Sequence, residues 1–196
     1  MSQQPRLIYL HGFRSSPQSQ KVTELREWLA ARDVPVELVT PELGFAPDEA
    51  VARVASLVDE AGDRPVGLMG SSLGGYYATV VAARSGLPAV LVNPAVAPYR
   101  LLRGYLGVQE NLYTGERFEV TETHMHQLSD MDPGPLAHPE RFLVLLQTGD
   151  ETLDFREAVT RYAGASQWIQ PGGDHRFQDF PRVLPAALAF LGMGSF

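Results

Sequence analysis

Three observations predict an α/β fold, with a six-stranded, mostly parallel sheet and helices on both faces. Short runs of almost wholly apolar residues recur along the chain, stretches with helical spacing separate them, and only one connection is too long for an ordinary crossover. Strands that are apolar on both faces belong inside a sheet covered on both sides. Alternation of strand with helix nearly throughout then implies right-handed crossovers onto a mostly parallel sheet.

The elements follow in order. The first strand occupies 7–10, and Ser16-Pro17 supplies an N-cap and a first helical position for a helix carrying Val22, Leu25, Trp28 and Leu29. A weaker strand at 36–39 precedes a helix opened by Pro47, with Asp48 and Glu49 in its first turn and Val51, Val54, Leu57 and Val58 along one face. The third strand, 66–69, leads into a helix marked by Leu73, Tyr77, Val80 and Val81, and the fourth strand is 89–92. The next connection, 95–140, has about 45 residues, too many for a plain loop. It reads as a cap over the carboxyl ends of the strands, with a helix at 99–106, a turn at Thr114-Gly115 and a break at Asp132-Pro133-Gly134-Pro135. A strand at 142–146, a helix carrying Phe155, Ala158, Val159 and Tyr162, a strand at 166–169 and a helix within 181–191 complete the chain. The expected sheet order is 2-1-3-4-5-6. The expected organisation is one domain over 1–196 with a cap insertion at 95–140.

Composition removes several function classes. Sixteen Lys and Arg against 23 Asp and Glu leave a formal charge of −7, a field that repels polyanions, so no nucleic-acid partner is expected. No apolar stretch approaches the ~18 residues of a spanning helix. The amino terminus lacks the basic start and long apolar core of a secretory signal, so a cytoplasmic location is the default expectation. There is no cysteine, which excludes disulfides, thiolate catalysis and Cys-type zinc sites together, and any nucleophile must be sought elsewhere.

A nucleophile is available in Gly70-Ser71-Ser72-Leu73-Gly74. The G-x-S-x-G pattern alone arises by chance in roughly one chain in fifteen of this length, given ordinary Gly and Ser frequencies. Its setting carries the argument: it directly follows the apolar strand and directly opens the helix, the strand-turn-helix context of a nucleophile elbow in an α/β-hydrolase. Gly70 and Gly74 relieve crowding around a strained Ser72. Ser71 has Met69 and Leu73 at the corresponding places and cannot substitute. A phosphate-binding loop would need the Walker Lys or G-x-G-x-x-G spacing, and neither is present.

A serine hydroxyl needs a base, usually a histidine oriented by a carboxylate. His175 lies between the last strand and the last helix, the position required of the base by the chain order Ser, Asp, His. His124, His126 and His138 fall in or near the cap. Asp150, directly after the fifth strand, is the expected orienting acid; Asp154 stands where it would cap the next helix. Asn93 leaves the fourth strand at a corresponding point but carries no charge, and Asp174 shapes the loop beside the histidine. Two backbone N–H groups, of Leu73 and Phe13, are the expected oxyanion donors, with His11 and Gly12 supporting the loop after the first strand. Tyr105, Leu106 and Tyr113 supply apolar material for a substrate pocket. These residues describe acyl-ester hydrolysis through an acyl-enzyme on Ser72. Acyl transfer by the same residues and a non-catalytic binding protein of the same fold are the competing readings, separable by product analysis with added alcohols and by fluorophosphonate labelling.

The chain also resembles the YqiA-like bacterial esterases, a compact branch of the α/β-hydrolases. The resemblance rests on Tyr9-Leu10-His11-Gly12-Phe13 with Ser15-Ser16-Pro17, on Gly70-Ser71-Ser72-Leu73-Gly74-Gly75-Tyr76-Tyr77-Ala78-Thr79, on Asn93-Pro94-Ala95-Val96, on Tyr113-Thr114-Gly115, and on Gln147-Thr148-Gly149-Asp150-Glu151 with Leu153-Asp154. It implies a serine carboxylesterase acting on simple acyl esters, with acyl-CoA thioesters as a further class, and a triad of Ser72, Asp150 and His175. It implies no metal and no organic cofactor. The chain departs from the family pattern at Gly172-Gly173-Asp174, where Asn or Ser more usually precedes the histidine.

Overall fold

The structure is a computed structural model and describes residues 4–194. Its strands, in chain order, are β1 (Arg6–Leu10), β2 (Glu37–Val39), β3 (Val66–Ser71), β4 (Ala89–Val92), β5 (Gly107–Glu110), β6 (Arg117–Val120), β7 (Phe142–Gln147) and β8 (Ser166–Gln170). The helices are α1 (Gln20–Ala30), α2 (Pro47–Asp59), α3 (Leu73–Ser85), α4 (Pro98–Leu101), α5 (Glu122–Asp130), α6 (Phe155–Arg161) and α7 (Leu184–Phe190). Six strands form one sheet, ordered β2-β1-β3-β4-β7-β8, with every neighbouring pair parallel. Counting only these six reproduces the order 2-1-3-4-5-6 read from the sequence.

Because successive strand residues face opposite ways, the central strands β1, β3, β4 and β7 feed two cores, whereas edge strand β8 leaves Trp168 and Ile169 exposed. Ile8, Leu10, Leu68, Leu91, Val144 and Leu146 face α2, α3 and the cap. Leu7, Tyr9, Met69, Val90, Val92 and Leu145 face α1 and α7. Helix α3 is buried along all of its first ten residues, so it lacks the polar face of a surface helix. At the amino ends of the strands Arg6 donates from Nε to Glu37 at 3.0 Å, and Arg64 bonds the same carboxylate, tying β1 to β2.

Local details differ from expectation where tertiary bonds compete. Helix α1 begins at Gln20 rather than at Ser16-Pro17, because Ser16 is buried in a turn: its Oγ accepts from Gln18 N–H at 3.1 Å and its carbonyl from Ser19 N–H at 3.0 Å. The helix expected at 99–106 is a single turn, α4, followed by a 3₁₀ turn over Leu102–Tyr105, since Gly104 and Gly107 lower helix propensity there. The cap also holds an antiparallel hairpin, β5–β6, and helix α5, neither of which the sequence reading anticipated. Among the described residues no helix is long and apolar enough to cross a membrane.

Candidate active site

The register of the sheet brings five strand exits together at its carboxyl edge. Leu10 pairs with Gly70, Ser71 with Val92, Val92 with Leu145, and Gln147 with Gln170, so the segments after β1, β3, β4, β7 and β8 emerge side by side. Crevices outside the carboxyl ends of parallel strands are where such sheets bind ligands.

Ser72 stands between β3 and α3 with φ +54° and ψ −120°, a conformation L-residues rarely adopt. Its surroundings impose it. Ser72 N–H donates to the Val92 carbonyl at 3.1 Å, and its own carbonyl accepts from Ala95 N–H at 3.1 Å and Gly75 N–H at 3.0 Å. A Cβ at Gly70 would overlap the Gly74 carbonyl, and one at Gly74 would overlap the Leu10 carbonyl, so the turn closes only with both glycines.

Three side chains from distant segments form a hydrogen-bonded chain. His175 Nε2 lies 3.1 Å from Ser72 Oγ. Its Nδ1 lies 2.8 and 3.0 Å from the two oxygens of Asp150. Because a carboxylate only accepts, Nδ1 carries the proton and Nε2 is left to accept from the hydroxyl. The Asp150 side chain is 2% exposed, and its Oδ1 also accepts from Thr152 N–H at 2.9 Å and Leu153 N–H at 2.8 Å, which fixes the carboxylate plane. Asp154 instead caps α6, accepting from Arg156 N–H at 3.0 Å. The Arg156 guanidinium beside it holds its carboxyl below the usual range.

The loop carrying His175 is held by Gln147, Asn93 and Glu151, to which the sequence assigns no such role. The buried Gln147 side chain donates to Gln170 Oε1 at 2.9 Å and to the Gln178 carbonyl at 2.8 Å, and accepts from Asp174 N–H at 3.1 Å and Gln178 N–H at 2.8 Å. Asn93 donates to the Asp174 carbonyl at 3.0 Å and accepts from Gln147 N–H at 3.0 Å. Glu151 accepts from His175 N–H at 3.0 Å. The one visible signal was a glutamine ending an otherwise apolar strand. Asp174 accepts from Gln178 at 3.0 Å and not from the imidazole, so it acts on the loop.

On the β1 side, Gly12 packs so closely that a Cβ there would stand 3.3 Å from Ser72 Cβ, which brings the segment bearing Phe13 N–H alongside the hydroxyl. Leu73 is the first residue of α3, so its N–H has no intrahelical acceptor. His11 is buried and donates from Nδ1 to the Gly12 carbonyl at 3.1 Å; burial lowers its pKa and keeps the imidazole neutral.

Two cavities meet at Gly12, Phe13, Arg14 and Ser15. One, of about 290 Å³, contains Ser72 and His175 together with Lys21, Tyr113 and Arg176. The other, of about 380 Å³, is lined by Leu43, Phe45, Leu73, Tyr77 and Phe118. Phe45 and Phe118 stack with centroids 3.8 Å apart, and Phe13 meets Phe118 edge-on at 6.0 Å. The cap reaches the site through its hairpin turn: Asn111 donates to the Ser15 carbonyl, Leu112 N–H to the Arg14 carbonyl, and Arg14 Nε to the Glu110 carbonyl. Of the three aromatic or apolar cap residues picked out for the pocket, Tyr113 lines the Ser72 cavity. Tyr105 stands behind Phe13 at 5.5 Å, and Leu106 lies 41% exposed on the cap surface, lining neither cavity. No cluster of three or more His, Asp or Glu among the described residues is arranged to hold a metal ion.

A family model described as an uncharacterised protein family, UPF0227, matches residues 6–192. Among solved structures, Est1E from Butyrivibrio proteoclasticus is 15% identical, with 98% of this chain and 87% of that one covered and a TM-score of 0.71. Alpha/beta hydrolase domain-containing protein 10 from mouse is 15% identical, covering 97% and 90% with a TM-score of 0.70. The esterase domain of a Rhodothermus marinus protein is 16% identical, covering 96% and 88% with a TM-score of 0.69. At these identities the likeness is one of fold, and the fold is that of the α/β-hydrolases.

Proposed function

The chain belongs to UPF0227, the family of YqiA-like esterases, and from that membership and the site geometry we propose that it is a serine carboxylesterase. The observation that carries the reading is the continuous hydrogen-bonded chain from Ser72 Oγ through His175 to Asp150 at the carboxyl edge of the sheet.

In this reaction Ser72 Oγ attacks the ester carbonyl carbon while His175 Nε2 takes the hydroxyl proton. Asp150 holds Nδ1–H and stabilises the imidazolium without taking its proton. The N–H groups of Leu73 and Phe13 donate to the oxyanion of the tetrahedral intermediate. Collapse breaks the bond to the leaving oxygen or sulfur, which receives the proton from His175, and leaves an acyl group on Ser72. Water then attacks the acyl carbonyl as His175 takes its proton, and collapse breaks the bond to Ser72 Oγ, which regains that proton from His175 as the carboxylic acid leaves. The cavity beside both oxyanion donors offers an acyl chain the aromatic and aliphatic side chains of Phe13, Leu43, Phe45, Leu73, Tyr77 and Phe118, with glutamates on other parts of its wall. The substrates are small acyl esters, with acyl-CoA thioesters a further class; the setting is one cytoplasmic domain with its cap at 95–140.

The test pairs labelling with turnover. A fluorophosphonate probe should label the native protein and not Ser72→Ala, and only the native protein should hydrolyse 4-nitrophenyl esters and acyl-CoA thioesters of graded chain length. Equal labelling or hydrolysis by both proteins overturns the assignment.

A further inference from the structure

The two cavities carry opposite charge on the walls they do not share. The chain carries a formal charge of −7, yet the Ser72 cavity is lined by Arg14, Lys21 and Arg176 and, among the described residues, by no Asp or Glu. The neighbouring aromatic cavity shares Arg14 but has Glu42, Glu49 and Glu116 on its walls, so Lys21 and Arg176 are the cations that belong to the Ser72 side alone. A net acidic protein that presents only cations where its nucleophile opens is arranged to attract negative charge to that point.

Lys21 is the member built in most firmly. It sits in the first turn of α1, partly buried, and its Nζ donates to the Arg176 carbonyl at 2.6 Å, one residue beyond His175. Three donors belong to an ammonium, so two remain for a ligand. The carboxylates in its field bond other groups: Glu24 with Gln20 at 2.7 Å, Asp150 with His175, and Asp174, through Oδ2 alone, with Gln178. None of these three carboxylates lines the cavity. Desolvation lowers the Lys21 pKa to about 8, which still leaves most of it charged at neutral pH.

The position relative to His175 decides which part of the substrate is read. His175 protonates the leaving atom, so the leaving group must lie on the His175 side of Ser72, where Lys21 and Arg176 are. We propose that the alcohol or thiol released by this enzyme carries an anionic group, a carboxylate or a phosphate, and that Lys21 is the residue that selects it. This rests on the esterase reading above and adds the chemistry of the leaving group to it. The bond broken is still the ester bond, and the anion takes no part in the proton transfers.

The experiment compares isosteric pairs. For the leaving group the pair is 4-acetoxybenzoate against 4-acetoxybenzamide, with 4-acetoxyphenyl phosphate as the phosphate arm; for the acyl group it is phenyl hydrogen succinate against phenyl succinamate. The charged-to-neutral ratio of kcat/KM cancels general damage to the site. In the native protein it should exceed about ten for the leaving-group pair, the size of one charge-assisted hydrogen bond, and stay near one for the acyl pair. Lys21→Met should bring the first ratio close to one, and Lys21→Arg should preserve it, which a purely structural role for Lys21 would not produce. The carboxylate and phosphate arms tell which anion is preferred. A native ratio near or below one, a preference confined to the acyl pair, or a ratio unmoved in Lys21→Met overturns the proposal. Calorimetric binding of 4-hydroxybenzoate to Ser72→Ala protein, with and without Lys21→Met, reads anion recognition without hydrolysis. Binding weakened about tenfold by Lys21→Met supports the proposal even where no ester is turned over, and equal binding overturns it.

Discussion

Replacing Gln147 by Leu keeps the volume of a buried side chain and removes every polar contact it makes. Gln147 is 4% exposed and forms four side-chain hydrogen bonds, to Gln170 Oε1, the Gln178 carbonyl, Asp174 N–H and Gln178 N–H. At about 1 kcal/mol per bond, reduced where the half-buried Gln170 and the exposed Gln178 regain water, the loss amounts to about 2–4 kcal/mol. For a chain of this length that lowers Tm by roughly 4–16 °C, since each kcal/mol shifts it by about 2–4 °C. The more informative effect is on Ser72. The bonds to Asp174 and Gln178 flank His175, and a loop displaced by about 1 Å costs on the order of 100-fold in rate by misplacing the base. The assay is the rate of fluorophosphonate labelling of Ser72, measured well below the variant's Tm, beside a urea unfolding curve. A variant that loses stability but labels at the native rate, or that loses less than ~1 kcal/mol, would refute the view that Gln147 positions His175.

Three further outcomes are expected. Asp150→Asn should remain folded and lose about 10⁴ in kcat because the imidazole adopts the wrong tautomer, whereas Asp154→Asn should stay active and unfold at somewhat lower urea; steady-state kinetics and unfolding curves on both proteins check this. Phe118→Ala opens one wall of the aromatic cavity and should shift preference toward longer acyl chains in a graded 4-nitrophenyl ester series, while Leu106→Ala should leave the profile unchanged. Hydrogen bonds and charge from Arg6, then charge from Arg64, hold the Glu37 carboxyl below its usual range. A depressed folded-state pKa contributes stability that is present above the ordinary value of about 4.3 and lost as pH falls through the folded one. Glu37→Gln should therefore unfold at lower urea than the native protein at pH 7, with the difference closing as pH falls below about 4.

Much of this molecule is encoded in short stretches of sequence, and those were legible. The apolar runs of β1, β3, β4 and β7 imply burial on both faces because no other setting hides all of their side chains, and that burial implies a parallel sheet. The elbow is likewise local: the glycines at 70 and 74 and the serine between them act within one turn. Chain order also pointed to Asp150 and His175, whose side chains lie in hydrogen-bonding distance of each other at the carboxyl edge of the sheet.

What only the tertiary structure decided depends on segments far apart in sequence. The cap hairpin is short, half exposed and two-stranded, so it has no strong apolar alternation, and it is held instead by bonds from Asn111 and Leu112 to Ser15 and Arg14. Helix α5 buries only Met125 and Leu128, too sparse a stripe to stand out within the cap. Gln147 and Asn93 become support for His175 because β4, β7 and the loop after β8 converge. Arg14, Lys21 and Arg176 are scattered cations in the sequence, and folding brings all three to the cavity that contains Ser72, with Arg14 also facing its neighbour. Periodicity reports whether a side chain is buried; which other side chains it meets is set by the crossing of distant strands and loops.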